Sequence, residues 1–194
     1  MYSERKRQIE HIVPVALAVL LRWFNVWAAL ACAFLGILYA LFVSRRLVKG
    51  TFRPVDEARG YSQGKLIYGL MVFLLIAVFH QKMHVVSGAW ALLALGDGCS
   101  TLVGIAYGAA KLPWNRDKSW AGTLAFFVLG ALGSFAFCWF VAGRYGELAP
   151  SVGRIALATC VAAFLCAALE SLPLKLDDNI SVPALGACVL YAML

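Results

Sequence analysis

The feature that most constrains this chain is the recurrence of long apolar runs with almost no charge inside them. Seven can be marked, at roughly 9–22, 24–43, 65–80, 84–110, 120–142, 152–170 and 180–194. A helix needs about 20 apolar residues to cross a bilayer, and backbone polar groups in lipid must be satisfied within the protein. The first and last runs sit at the short end of that requirement. Only 14% of the residues are charged, too few to cover a water-soluble globule, which carries about 25%. The expected fold is therefore all-α: a polytopic membrane helical bundle of about seven transmembrane helices, forming one membrane-embedded domain over 1–194. No linker, low-complexity tract or internal repeat divides it. Arg5, Lys6 and Arg7 before an apolar run would suit a signal peptide, but the apolar character continues to Val43. An uncleaved first helix is the expectation.

The formal net charge of +7 would suggest nucleic acid in a soluble protein. Here no soluble basic face exists to bind it, and cytoplasmic loops of membrane proteins are basic in any case. With the N-terminus inside, thirteen of the 17 Lys and Arg residues fall on inner segments: Arg5, Lys6, Arg7, Arg45, Arg46, Lys49, Arg53, Arg59, Lys65, Lys111, Arg116, Lys118 and Lys175. Arg22, Lys82, Arg144 and Arg154 fall outside. The asymmetry predicts a cytoplasmic N-terminus and an outer C-terminus, in an integral membrane protein expected in a bacterial inner membrane. Asp56, Glu57, Asp117, Glu170, Asp177 and Asp178 gather on the same inner side. The positive-inside rule does not account for acidic residues, so their position predicts a polar site on the cytoplasmic face. The six cysteines form no CxxC pair and are expected to pack between helices rather than bridge.

Three stretches could carry chemistry. Asp97 stands between two glycines inside the fourth run, where a carboxylate costs a few kcal/mol on insertion scales. It is expected to face a polar cavity, a cation or a partner. At helical spacing Asp97, Thr101, Gly104 and Gly108 share one stripe, which combines a carboxylate, a hydroxyl and two gaps. The gaps also suit a GxxxG helix contact or a homodimer face. In "KLPWNRDKSWAG", Pro113 and Asn115 break the helix, and Lys111, Arg116 and Lys118 gather cations ahead of Ser119, a candidate N-cap. A helix start beside lysines favours phosphate. In "ESLPLKLDDNISVP", Glu170 ends a run, and Asp177, Asp178 and Asn179 supply hard oxygen ligands suited to Mg²⁺. Taken alone, Asp178-Asn179 reads as a helix cap rather than a ligand pair; it is Asp97 opposite that points to a divalent metal.

The other polar residues are less distinctive. The basic loop from Ser44 to Lys65 reads as solvated and topogenic, with contact to lipid headgroups as the alternative. His80 and His84 are expected at the outer interface. His11 is either interfacial or a catalytic base.

At this point the sequence resembles a known family. "GDGCSTLVGIAYGAAKLPWNRDKSWAGT" is similar to the GDxxAxxxGxxxG…KSxxGT signature of CTP-dependent lipid-alcohol kinases, among them dolichol, phytol and farnesol kinases and the yeast-type diacylglycerol kinase. "ESLPLKLDDNISVP" resembles their ExxP…DDNxxVP element, and the wording is nearest the phytol kinase branch. The resemblance runs from about Arg45 onward. The alanine usual after GD is replaced by Cys99-Ser100-Thr101, and Gln8 stands where the family's RKxxH element has lysine.

The resemblance implies transfer of the CTP γ-phosphate to a membrane prenyl alcohol, with Mg²⁺. Asp97, Lys118, Glu170 and Asp178 would be catalytic, with Glu170 orienting or deprotonating the alcohol. Gly96, Gly98, Thr101, Gly104, Gly108, Lys111, Asn115, Lys118, Ser119 and Gly122 would hold nucleotide and phosphates. Asp97, Asp177, Asp178 and Asn179 would hold the metal. Diacylglycerol as acceptor is one alternative. A phosphatidate cytidylyltransferase is another, although this chain lacks that family's GGxxDRxDS element. A transporter or scaffold would need polar groups along its whole depth, and here they crowd one side.

Overall fold

The computed structural model describes residues 2–174 and 176–194, so Lys175, counted above among the inner cations, lies outside the described residues. These residues form helices throughout, with no strand among them. Helix α1 (Glu4–Ile12) runs into a 3-10 segment, Val13–Arg22. Then come α2 (Val26–Leu38), α3 (Ser44–Leu47), α4 (Pro54–Arg59), α5 (Gln63–Phe79), α6 (Met83–Ala91), α7 (Gly98–Tyr107), α8 (Trp120–Ala142), α9 (Val152–Ser171) and α10 (Asp178–Met193). Every expected apolar run is helical. Among the described residues, four helical stretches are long and apolar enough to cross a membrane: Val26–Leu47, Gln63–Tyr107, Trp120–Leu148 and Val152–Ser171. The second holds two expected runs, because the chain turns at His80–Lys82 and α5 packs on α6.

Local sequence explains the helix starts. Asn25, Ser119 and Ser151 each accept a hydrogen bond from a backbone N–H three residues on, and Asp177 accepts one from Asn179. Each satisfies a donor that the helix itself leaves free. Gly60, at φ 83°, ends α4 in a left-handed cap that a side chain would strain.

Helix α6 is the centre of the bundle. All nine of its residues are buried, as expected of a helix that is apolar all round. Helices α5, α8 and α10 and the 3-10 segment pack on it. Close approach depends on Gly88, where a Cβ would lie 3.0 Å from Leu190 and 3.1 Å from Ser134 Oγ. The 3-10 segment repeats every three residues, so its buried residues Val15, Ala18 and Leu21 form one straight row. That row faces α6 and α8, while α2 packs separately on α5. A gap is left between these two walls.

Two expectations change at this level. His84 does not face outward; it is 4% exposed, with its ring edge-on to Tyr145 at 5.1 Å. The 44–65 loop is not simply solvated. Asp56 is buried and accepts hydrogen bonds from Ser62 Oγ and the Gln63 backbone. Lys65 donates to Glu10 Oε2 at 2.5 Å, Ser44 Oγ at 2.7 Å and Thr51 Oγ1 at 2.8 Å. All six cysteines are free.

Candidate active site

Asp97, Glu170 and Asp178 come from three distant parts of the chain, yet each offers an oxygen within 4.8 Å of the others. Asp97 is set by a π-helical segment, Leu92–Asp97, between α6 and α7. The wider turn rotates the carboxylate relative to an unbroken α-helix, a device common at functional sites. Glu170 lies in the last turn of α9, and Asp178 begins α10. Lys118 pairs with Glu170 and lies 3.4 Å from Asp178 Oδ2. Burial works against the charge on Lys118, but Glu170 and Asp178 outweigh it and hold the ammonium above its ordinary pKa. Three carboxylates on one cation leave a surplus of hard oxygen donors, a set that suits a divalent cation such as Mg²⁺.

The metal ligands expected from sequence are only partly brought together. Asp97 and Asp178 meet, and Glu170 is their third partner. Asp177 Oδ1 instead accepts from the Asn179 backbone N–H and from its side-chain amide, both at 2.9 Å. It is occupied as the cap of α10. Glu170, expected beside the alcohol, is bound to Lys118.

On one side of the cluster is a polar cavity of about 630 Å³. Its walls include Thr101 and Gly104 of α7 and Gly108 at its cap, Lys111, Lys118 and Ser119 of the loop, Gly122 and Thr123 of α8, and Glu170. The glycines keep α7 close to the start of α8: a Cβ on Gly108 would lie 2.7 Å from Ser119 Oγ, and one on Gly122 would lie 3.0 Å from the Ser100 carbonyl. Both readings of the glycine stripe therefore apply, since the helix contact also shapes the cavity wall. Ser119 caps α8 by accepting from Gly122 N–H at 3.2 Å, so the positive end of a 23-residue helix faces this space.

Three expected phosphate-site residues stand elsewhere. A Cβ on Gly96 would lie 2.9 Å from the Phe126 ring, and one on Gly98 would collide with Ile12 at 2.6 Å. Both are helix-packing positions. Asn115 is buried and donates to the Ser171 carbonyl at 3.2 Å, while Trp114 Nε1 donates to the same oxygen at 3.1 Å. With the Leu112 N–H to Lys118 carbonyl bond at 3.1 Å, these contacts fasten the loop to the end of α9. They carry Lys118 to Glu170. Thr123 was missed by sequence reasoning. It lies four residues after Ser119, on the same helix face, and its buried hydroxyl has no partner among the described residues.

On the other side lies a larger, mostly apolar groove of about 860 Å³ between the 3-10 segment, α2 and α5. Its polar end holds Glu10, His11, Lys65, Tyr68 and Asn179. His11 Nε2 lies 3.5 Å from Asp97 Oδ2 and 3.1 Å from the Leu93 carbonyl. Its ring stands edge-on to Tyr68 at 4.8 Å, and the Tyr68 hydroxyl accepts from Trp90 Nε1 at 2.6 Å. His11 is thus held where the groove meets the carboxylates, which separate an apolar groove from a polar cavity.

No family model matches the chain, and no solved structure matches it. Three plant proteins give the measure of its relatives. The protein named probable phytol kinase 2, chloroplastic, of Glycine max is 32% identical over 154 residues, which is 77% of this chain and 51% of that protein. Phytol kinase 1, chloroplastic, of Arabidopsis thaliana is 30% identical over 142 residues, 71% of this chain and 45% of its own length. Farnesol kinase, chloroplastic, of Arabidopsis thaliana is 29% identical over 144 residues, 72% and 46% of the two chains. This chain spans about half the length of the curated relatives it matches. Their names place them in chloroplasts and lend no support to the bacterial inner membrane expected above. The helices nonetheless make this a membrane protein, and what it is similar to, over about half their length, is the phytol and farnesol kinases of plants.

Proposed function

We propose that the chain is a membrane kinase that transfers the γ-phosphate of CTP to a prenyl alcohol. One observation carries the reading: the carboxylate cluster stands between a polar cavity sized for phosphates and an apolar groove sized for a lipid tail. The phytol and farnesol kinase names of its relatives support a prenol as acceptor, and the family resemblance supports CTP as donor. The site would lie on the cytoplasmic face, the side to which the basic loops assign the N-terminus.

Phosphoryl transfer asks for positioning and charge neutralisation more than covalent chemistry. The donor phosphates occupy the polar cavity, where Lys118, Ser119 and the start of α8 meet their negative charge. The hydroxyl enters from the groove beside His11 and Asp97. Its oxygen bonds to the γ-phosphorus, the bond from that phosphorus to the β-phosphate bridge breaks, and CDP leaves with the electron pair. The alcohol proton passes to an oxygen of the cluster. Asp97, Glu170 and Asp178 would hold Mg²⁺, which when bound neutralises charge on the phosphates.

The test is purified protein in detergent with γ-labelled CTP, Mg²⁺, and a panel of prenols plus diacylglycerol. Label in a prenyl phosphate with CDP released is expected, and Asp97→Ala should abolish it while the protein stays folded. Label in diacylglycerol alone, or pyrophosphate released on adding phosphatidate, would overturn the reading, as would an active Asp97→Ala variant.

A further inference from the structure

The apolar groove has an open side and a closed end. Leu21, Ala29 and Ile76, which line one end, are buried, while Leu17 and Gly36, midway along the groove, open it to the outside. On the 3-10 segment Leu17 is 47% exposed and Leu21 only 3%. On α2, Gly36 is exposed, Ala33 is 9% exposed and Ala29 1%. The third wall ends at Ile76 of α5, 1% exposed. Leu21, Phe24, Ala29 and Ile76 all line this end, where the Trp23–Asn25 turn joins the 3-10 segment to α2. The groove is therefore blind at the turn, and its polar end lies beside Asp97.

Its depth follows from helix geometry. The 3-10 segment is ten residues long and covers about 20 Å at ~2.0 Å per residue. Along α5, Gly64 to Ile76 covers about 18 Å, and from Ala29 of α2 to Ala40 in the π-helical turn that continues it is about 16 Å. All three walls thus reach only part of the way across a hydrocarbon core of about 30 Å. The α2 wall carries small side chains at Ala29, Cys32, Ala33 and Gly36. Gly36 has open space before it: a Cβ there would meet nothing within 4 Å.

We infer that this blind end sets the preferred length of the acceptor's prenyl chain, with Ala29, Ala33 and Gly36 as the length-determining positions. The inference rests on the groove being the acceptor site. Each isoprene unit added to a short acceptor buries more apolar surface until the tail reaches Leu21 and Ala29. Beyond that, further units have no wall to meet and bring no gain. The preferred acceptor then has the length of phytol or geranylgeraniol, and a long polyprenol gains nothing over them. Filling the groove at Ala29, Ala33 or Gly36 moves its end successively closer to Asp97.

The experiment compares kcat/KM for geraniol, farnesol, geranylgeraniol, phytol and a long polyprenol in the wild type and in Ala29→Phe, Ala33→Phe and Gly36→Leu. Expected is a loss of about tenfold or more in phytol relative to farnesol for Ala29→Phe, the scale on which apolar pockets discriminate. Gly36→Leu should discriminate against farnesol as well and spare geraniol. Gly36→Leu adds its side chain to open space, so it keeps the test valid should the buried alanine variants not fold. Prenol-dependent thermal stabilisation without nucleotide reads the same length order with no need for turnover. A wild type that prefers the long polyprenol, or a folded Gly36→Leu with the wild-type order of acceptors, overturns the inference. Length-ordered stabilisation without labelled product would instead count against the kinase reading and leave the length inference standing.

Discussion

Replacing Lys118 with methionine tests the centre of the site. The side chain of Glu170 is 2% exposed and that of Lys118 29%, so removing the ammonium leaves a carboxylate buried without its cation. Breaking such a pair costs about 3–5 kcal/mol. The lower end applies, because water reaches Lys118 and Asp178 is partly exposed. About 3 kcal/mol corresponds to a fall in Tm of roughly 6–12 °C for a chain of this size. Activity should fall about a hundred- to a thousandfold, the usual cost of losing one preorganised charge partner of a transition state. The informative comparison is the double variant Lys118→Met with Glu170→Gln. It removes the stranded charge, so most of the lost Tm should return while activity stays low. Tm is read in detergent by tryptophan fluorescence, and activity by the labelled-CTP assay. An unchanged Tm in the single variant would show that Glu170 does not depend on Lys118. Recovered activity in the double variant would show that Lys118 only holds the fold.

Three further outcomes follow from particular contacts. Gly108→Ala places a Cβ against Ser119 Oγ and the Gly104 carbonyl; it should cost about 1–3 kcal/mol through overpacking and raise KM for nucleotide more than for prenol. Asn115→Ala frees the loop from the Ser171 carbonyl; it should lower kcat while adding protease sensitivity confined to the loop, readable by limited proteolysis. Glu4 is opposed by burial, but its bonds to Arg7 outweigh this and bring its pKa down from 4.5 to about 2. Because the folded value is the lower one, its contribution is complete above about pH 4.5 and is lost as pH falls toward 2. Glu4→Gln should flatten that acid limb of the stability curve.

Much of the fold was legible, because apolar runs in a bilayer permit little besides helices. Asp97 was legible for the same reason: a carboxylate in such a run needs a cause. Lys118 and Ser119 could be read from a break in the pattern. The rest depended on tertiary geometry. Nothing in local periodicity marks the π turn that sets Asp97. Nor does spacing show that Lys65, which reads as one more loop cation, is tied to Glu10, 55 positions away. Asp177 and Glu170 exchanged their expected places because an Asp before a helix start can either cap or ligate, and only the neighbours decide. The groove itself was invisible in sequence, since it arises where two sets of helices do not touch.

The straight row of Val15, Ala18 and Leu21 also bears on how this protein can change over generations. In a 3-10 helix each residue advances the chain by about 120°. Inserting one residue would swing everything beyond it by a third of a turn and present the row to lipid instead of to α6. Inserting three would restore the row and lengthen the wall by about 6 Å. Tolerated length variation in this segment should therefore come in triplets. Each triplet would need a matching extension of α2 and α5, which would let descendants of this scaffold step between lipid lengths while the carboxylates stay where they are.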